Sequence, residues 1–344
     1  MAADHVGGAG LRLRDLGEQG LLARLFPRLP TGTHTVLGPG DDAALVRAPD
    51  GRVVVTTDVL VAGRDFRFDW SSPQDVGVKA AAQNLADVAA MGAVPTALLV
   101  ALVAPPDLPV DWALGLAEGL EVGCRGTGAG VVGGDLSSGV ELMVAVTALG
   151  DLQGRPPVRR DAASPGQVVA VAGPLGSSAA GLALLQAGAL SADPEVTALV
   201  AAHRRPSPPY ACGPLAARGG ATAMLDLSDG LVRDAARVAL ASSVRIDLDP
   251  ALLRRDADRL AAVASRLGAD PWEWVLAGGE DHGLLAVFPD ASRIPEPFRP
   301  VGRTRAPGDD AGGLVDDDND LVLLAGAPWA GPVGWDHFRQ AADE

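Results

Sequence analysis

Apolar and polar positions fall into blocks whose period changes along the chain. "HTVLGPGDDAALVR" and "RVVVTTDVLVAG" are rich in β-branched residues and separated by the turn "APDG", so both are expected to be β-structured. The next block, "SPQDVGVKAAAQNLADVAAMGA", opens on Ser, continues in Ala-rich helix formers and closes on Gly, which predicts a helix with its start and stop signals. "TALLVALVAP" is an unbroken apolar run ended by Pro-Pro and predicts a buried strand. "PVDWALGLAEGLEVGCRGTG" predicts a second helix. "AGVVGGDLSSG" and "VELMVAVTALG" predict a strand, a glycine-rich loop and another strand.

The polar segment "GDLQGRPPVRRDAASPG" interrupts this pattern and is taken as the boundary between two domains, 1–153 and 154–344. A second run follows: strand "QVVAVAG", helix "SSAAGLALLQAG", strand "ATAMLDLSDG", a helix from Leu231, strand "VRIDLD", a helix through "DADRLAAVASRLG" and strand "GLLAVF". The fold class is therefore α/β (α+β), and 344 residues agree with about two domains. Both halves end strands in acidic, glycine-flanked loops, which hints at related domains without a clear repeat. "GGAG" near the start follows no strand and lacks a dinucleotide-binding context. "GLVDDDNDL" reads as a solvated turn, and "GPLGSSAAG" as an ordinary helix start.

Composition narrows the chemistry. Hydrophobic residues make up 48% of the chain but aromatics only 4%, so Ala, Val and Leu must build the cores. The net charge of −15 offers no electrostatic footprint for nucleic acid. It suits cation binding, although acidity also serves solubility. Two cysteines outside any CxxC pattern exclude a disulfide framework or thiolate zinc site. No signal peptide or apolar run of membrane length is read, so a cytoplasmic protein without a membrane partner is expected. Lys79 is the only lysine, which raises the question whether its ammonium does something a guanidinium would not.

The aspartates carry the strongest signal. Asp41 and Asp42 follow Gly40, and their mutual repulsion needs either water or a bound cation. Asp58 closes "TTD" after a Val-rich run. Asp87 lies three residues after Asn84, on the same helix face. Asp135 sits in "VVGGDLSSG", and Asp226 and Asp229 in "MLDLSDGL". Singly, each is an ordinary turn or cap residue. Together with Thr56, Thr57, Ser137 and Ser228 they form a set of hard oxygen donors of the kind Mg²⁺ takes. "VVGGDLSSG" lacks the Lys of a Walker A loop but offers backbone N–H groups to phosphate. No Ser-His or Cys-His arrangement is read.

"GDDAAL", "TTDVLVAG", "KAAAQNLADVAAMGA", "GGDLSSG", "LDLSDGL", "GGEDHGLL" and "GWDHF", from about Leu16 to Phe338, occur in an order that resembles the thiamine-monophosphate kinases of the AIR synthetase-like superfamily. The resemblance implies Mg²⁺-assisted, in-line phosphoryl transfer from ATP to thiamine monophosphate. It also implies a homodimer whose N-terminal domains pair into a β-barrel. By the same resemblance Asp42, Thr56, Thr57, Asp58, Asp87, Asp135, Asp226 and Asp229 fall on magnesium positions. Gly134, Asp135, Arg160 and Ser228 fall on nucleotide positions, and Glu280 and Trp335 on thiamine positions. Asp65 falls on a further substrate position that the family fills with His. The alternatives are another ATP-dependent enzyme of the superfamily and a catalytically silent nucleotide or metal sensor.

Overall fold

The computed structural model describes residues 10–307 and 318–335. The start of "GGAG", "GLVDDDNDL" as far as Asp317, and Asp336 to Phe338 of "GWDHF" lie outside them. The chain divides into two compact units, 1–89 with 93–155 and 90–92 with 156–344.

In the first unit, β1 (Thr35–Leu37) and β2 (Leu45–Val46) form a small antiparallel hairpin. The main sheet contains β3 (Val54–Val61), β4 (Val94–Ala104), β5 (Gly130–Ser138) and β6 (Met143–Asp151), in the order β3-β6-β4-β5. β6 is antiparallel to both neighbours, and β4 is parallel to β5. Helices α1 (Leu13–Leu25), α2 (Pro73–Ala90) and α3 (Val110–Cys124) complete the unit. Ser72 and Asp75 close a reciprocal cap at the start of α2: the Ser72 N–H donates to Asp75 Oδ2 at 2.9 Å and the Asp75 N–H to Ser72 Oγ at 3.2 Å. Gly92, at φ +76°, takes the left-handed turn after it.

α2 and α3 meet backbone to backbone. A methyl group on Gly119 would lie 2.2 Å from the Gln74 carbonyl oxygen and 2.8 Å from Gly77 Cα. Small residues let the two helices approach this closely. The far face of β3 and β4 is apolar and open: Val55 is 59% exposed, Val59 44% and Leu99 38%.

The structure replaces the expected glycine-rich loop at Gly133–Ser138 with the second half of β5, hydrogen-bonded beside Leu99–Ala104 of β4. Neither Gly133 nor Gly134 has positive φ. Gly134 is small because a Cβ there would strike the Val100 backbone. Its glycine character reflects a close strand approach rather than a turn.

The second unit is built on a seven-stranded sheet. Its strands are β7 (Val168–Ala172), β8 (Ala223–Leu227), β9 (Arg245–Leu248), β10 (Gly283–Phe288), β11 (Arg299–Arg305), β12 (Val322–Leu324) and β13 (Ala327–Pro328). They are ordered β13-β12-β9-β11-β7-β10-β8. β7, β8 and β10 are buried along their whole length, which is why each reads as a continuous apolar run. Phe288 and Phe298 meet edge to face at 5.5 Å in its core. The helices are α4 (Ser177–Gln186), α5 (Pro194–Arg204), α6 (Cys212–Gly219), α7 (Leu231–Ser242), α8 (Pro250–Leu267) and α9 (Pro271–Ala277). α1, α5, α6, α9 and strands β11 to β13 go beyond the elements anticipated from the sequence. Among the described residues no helix is long and apolar enough to cross a membrane.

Gly119→Ala is expected to lower the stability of the protein by about 1–3 kcal/mol, because backbone must move to admit the methyl group. Chemical denaturation with urea measures it. An unchanged midpoint would contradict the close helix contact.

Candidate functional site

In the first unit the acidic residues gather around β3 and α2. Strand alternation turns Thr56 and Asp58 towards α2, and Val55, Thr57 and Val59 to the open face. Thr56 Oγ1 donates to Asp87 Oδ2 at 2.7 Å. One turn earlier on the same helix, Asn84 Oδ1 accepts the Asp58 N–H at 3.1 Å, while its own amide donates to the Ala80 carbonyl at 2.9 Å. Asn84 is fully buried, so its amide is locked and fixes the register between helix and strand. Thr57 Oγ1 donates to the Val146 carbonyl at 2.9 Å, on the opposite side of the strand.

Asp42 lies in the exposed bend between β1 and β2, where its N–H donates to the Asp41 carboxylate at 2.8 Å. Asp135 is exposed on β5 next to Gly134. Beyond β3, the Asp65 carboxylate folds back to accept the Val61 N–H at 2.7 Å. Lys79 turns inwards; it is only 3% exposed and donates to the Asp65 main-chain carbonyl at 3.1 Å. The single lysine thus supports the turn that carries Asp65.

In the second unit two distant segments converge on the loop after β8. The Glu280 N–H donates to the Ser228 carbonyl at 2.7 Å and the His282 N–H to the Leu227 carbonyl at 3.0 Å. The Trp335 N–H reaches the Asp229 carbonyl at 2.9 Å. Ser228, Asp229, Glu280 and Trp335 are therefore neighbours despite their spacing in sequence. Gly279 and Gly334 make this possible, since a Cβ on either would collide with the 228–229 backbone. Glu280 and His282 both hold left-handed backbone, at φ +63° and +50°. That conformation is uncommon for residues with a side chain and marks a constrained loop. Arg160 is exposed, and its carbonyl accepts the Ser242 hydroxyl at 2.8 Å.

Several charged residues that hold this loop were not singled out from the sequence. Fully buried Asp234 accepts the N–H groups of Asp229 at 2.9 Å and Gly230 at 3.1 Å. Arg237 bridges Asp234 at 2.6 Å and Asp229 at 2.5 Å. Burial, reinforced by the Asp226 charge, pushes the Asp234 carboxyl up to about 8 against the pull of Arg237. His282 Nδ1 lies 3.3 Å from Asp226 Oδ2. The N-terminus of α4, read from the sequence as an ordinary helix start, is filled by this chain's own Asp281, whose carboxylate accepts the Ser177 and Ser178 N–H groups at 3.2 and 2.8 Å. Burial pushes Asp281 up to about 7 in spite of these donors. The signals were modest: an aspartate in the first turn of a helix, and an acidic pair after two glycines.

A serine–histidine contact is also present, which the sequence did not signal. Ser178 Oγ stands 3.0 Å from His203 Nδ1, and Glu280 Oε2 is 3.2 Å from the same nitrogen. Ser178 is 1% exposed, so its hydroxyl is not presented as a nucleophile.

Among the described residues, no three His, Cys, Asp or Glu side chains gather closely enough to hold a metal ion by themselves.

The chain matches the AIR synthase related protein N-terminal domain over residues 40–152 and the corresponding C-terminal domain over residues 164–294. It is 48% identical to the thiamine-monophosphate kinase of Mycobacterium tuberculosis over 328 residues, 95% of this chain and 93% of that protein. With the Escherichia coli thiamine-monophosphate kinase the identity is 35%, over 94% of this chain and 98% of that one. The chain belongs to the thiamine-monophosphate kinase family.

Among solved members of the family, AaThiL complexed with AMPPCP and TMP superposes with a TM-score of 0.74 at 31% identity, over 96% of this chain and all of that one. The thiamine-monophosphate kinase of Stenotrophomonas maltophilia superposes at 0.75 with 29% identity, covering 90% of this chain and 96% of that one. The hydrogenase maturation protein HypE shares the fold, with a TM-score of 0.70 at 17% identity, over 95% of this chain and 99% of that one. As a member of the kinase family, this protein is a phosphotransferase of two α/β units.

The raised Asp281 carboxyl has a testable sign. A buried acid whose folded pKa of about 7 exceeds its unfolded value binds more protons in the folded state across the interval between them. Its contribution to stability is thus greatest below about pH 4 and is lost as pH rises to about 7. Denaturation midpoints measured across that interval should fall more steeply for the unmodified protein than for Asp281→Asn. Parallel slopes would show that the carboxyl titrates normally.

Proposed function

We propose that this protein transfers the γ-phosphoryl group of ATP to thiamine monophosphate, giving thiamine diphosphate and ADP, by Mg²⁺-assisted in-line displacement. The observation that carries the reading is the gathering of Ser228, Asp229, Glu280 and Trp335 by backbone hydrogen bonds in a chain of this family. Further support comes from the relative solved with AMPPCP and TMP, read as an ATP analogue and the acceptor.

The acceptor phosphate is already anionic, so no residue has to deprotonate it. The difficulty lies in bringing two polyanions together, and positioning with charge neutralisation answers it. The residues that would hold Mg²⁺ are Asp42, Thr56, Thr57, Asp58, Asp87, Asp135, Asp226 and Asp229. Their carboxylates and the Thr56 hydroxyl are hard donors and fit the ion, whereas the Thr57 hydroxyl is turned to the open face of β3 and donates to Val146, so strand alternation sets Thr57 apart from the others. Mg²⁺ needs only one or two carboxylates beside water and substrate phosphate, so a three-carboxylate cluster is not required. When bound, Mg²⁺ supplies the positive charge that an acidic protein cannot offer to phosphate.

Gly134, Asp135, Arg160 and Ser228 are assigned to ATP. Asp65, Glu280 and Trp335 are assigned to the thiamine moiety. Trp335 is 43% exposed, and a thiazolium cation over an indole is worth about 0.5–2 kcal/mol. In Asp65 one carboxylate oxygen is already engaged by the Val61 N–H, which leaves the other for substrate.

The homodimer belongs to the same proposal. The open face of β3 and β4 carries Val55, Val59 and Leu99, an apolar patch suited to a second copy of the sheet. Pairing of two such sheets into a barrel removes it from water.

Purified protein with ATP and Mg²⁺ should convert thiamine monophosphate to thiamine diphosphate, and chelation of the metal should abolish turnover. A folded protein that makes no product under saturating Mg²⁺ refutes the assignment. Asp58→Asn should cost orders of magnitude in kcat while the backbone N–H of residue 58 still meets Asn84. Near-normal turnover would remove Asp58 from the metal set. Val55→Asp with Val59→Asp should shift the sedimentation coefficient from dimer to monomer, and a persistent dimer would place the interface elsewhere.

A further inference from the structure

Behind Glu280 lies a buried chain of side chains that the assigned chemistry does not use. His203 closes the last turn of α5, and Ser178 lies in the first turn of α4. The two helices are pressed together at Gly181, where a Cβ would lie 2.1 Å from the Leu199 carbonyl oxygen and 3.0 Å from His203 Cβ. The imidazole is thus fixed from its backbone outward. Its Nδ1 stands 3.0 Å from Ser178 Oγ and 3.2 Å from Glu280 Oε2. A carboxylate oxygen only accepts hydrogen bonds, so a bare nitrogen lone pair facing it would repel it. The contact is favourable only if Nδ1 carries the proton and donates to Glu280, with the serine oxygen as a second acceptor. Glu280 itself stands on left-handed backbone in a loop tied to Ser228, and its carboxylate is partly open to solvent.

We propose that His203, seated by Ser178, is a positioning residue that aims the Glu280 carboxylate at the thiamine moiety and so sets affinity for the acceptor. The inference rests on Glu280 being a thiamine contact. In this role His203 acts only through Glu280 and takes no part in the transfer. Its effect should therefore fall on KM for thiamine monophosphate and not on KM for ATP. A donor to a charged acceptor is worth enough that its loss raises KM for thiamine monophosphate by about 10-fold.

The test is a steady-state comparison of the full-length protein with His203→Leu, His203→Asn and Ser178→Ala, each also combined with Glu280→Gln. The amide nitrogen of asparagine occupies the place of Nδ1, so His203→Asn should restore most of the affinity that His203→Leu loses. In the Glu280→Gln background, His203→Leu should have little further effect, because the carboxylate it serves is gone. Equal rises in both KM values, or a full additive effect on Glu280→Gln, would make His203 a packing residue and overturn the proposal. If His203→Leu does not fold, His203→Asn with Ser178→Ala carries the test. The expected result is then native-like KM for the first and a raised KM for thiamine monophosphate alone for the second; unchanged values in Ser178→Ala overturn it. Failure of the unmodified protein to phosphorylate thiamine monophosphate would instead bring down the functional reading. The tautomer separates the two cases: imidazole nitrogen NMR of the ligand-free protein should show His203 protonated at Nδ1, and an unprotonated Nδ1 would defeat the positioning role whatever the substrate.

Discussion

Carboxylates crowded into loops repel one another, and the functional end of each unit depends on giving them fixed counterparts. Asp87 is held by the Thr56 hydroxyl, Asp229 by Arg237, and Asp281 by two amides at the start of α4. Most of these donors are neutral or belong to the backbone. The Thr56 hydroxyl orients the Asp87 carboxylate without cancelling its charge, so there the negative potential that would attract a cation is preserved. Arg237 is the exception. It spans Asp229 and Asp234 and offsets the charge where three carboxylates come closest.

The second constraint is steric. With so few aromatic residues, tight packing is achieved through bare backbone instead of bulky interdigitation. Gly119 brings α3 onto α2, Gly181 brings α5 onto α4, and Gly279 brings the Glu280 loop onto Ser228. These contacts have no slack, since backbone atoms cannot rotate out of the way as a side chain does. The precision of the acidic loops is inherited from them.

This explains what could be read in the sequence and what could not. The helix from Pro73 to Ala90 was legible because its cap, its alanines and its closing glycine are local signals. The common face of Asn84 and Asp87 was legible because three residues nearly complete a turn. Both side chains do reach β3, one to Asp58 and the other to Thr56. Gly133 and Gly134 misled because glycine signals a turn and a close strand approach alike, and only the neighbour at Val100 tells them apart. Ser178, His203, Asp234 and Arg237 were not singled out. Their partners depend on how helices and loops stack, and no local spacing encodes that. The convergence of Trp335 on Asp229 was hidden for the same reason, although the motifs containing both were visible.

The inward turn of Lys79 reaches beyond the support of one loop. It is the only ε-amine in the chain, and almost none of it meets solvent. Reagents that label or cross-link lysine at a protein surface therefore find no ready target on a side chain here. Acetyl transfer and ubiquitin conjugation to lysine would require local opening of the first unit. Trypsin, for its part, is left with arginines alone on the folded surface. The protein is thus chemically quiet towards the commonest amine chemistry of proteins, as a by-product of placing its one ammonium beneath the Asp65 turn.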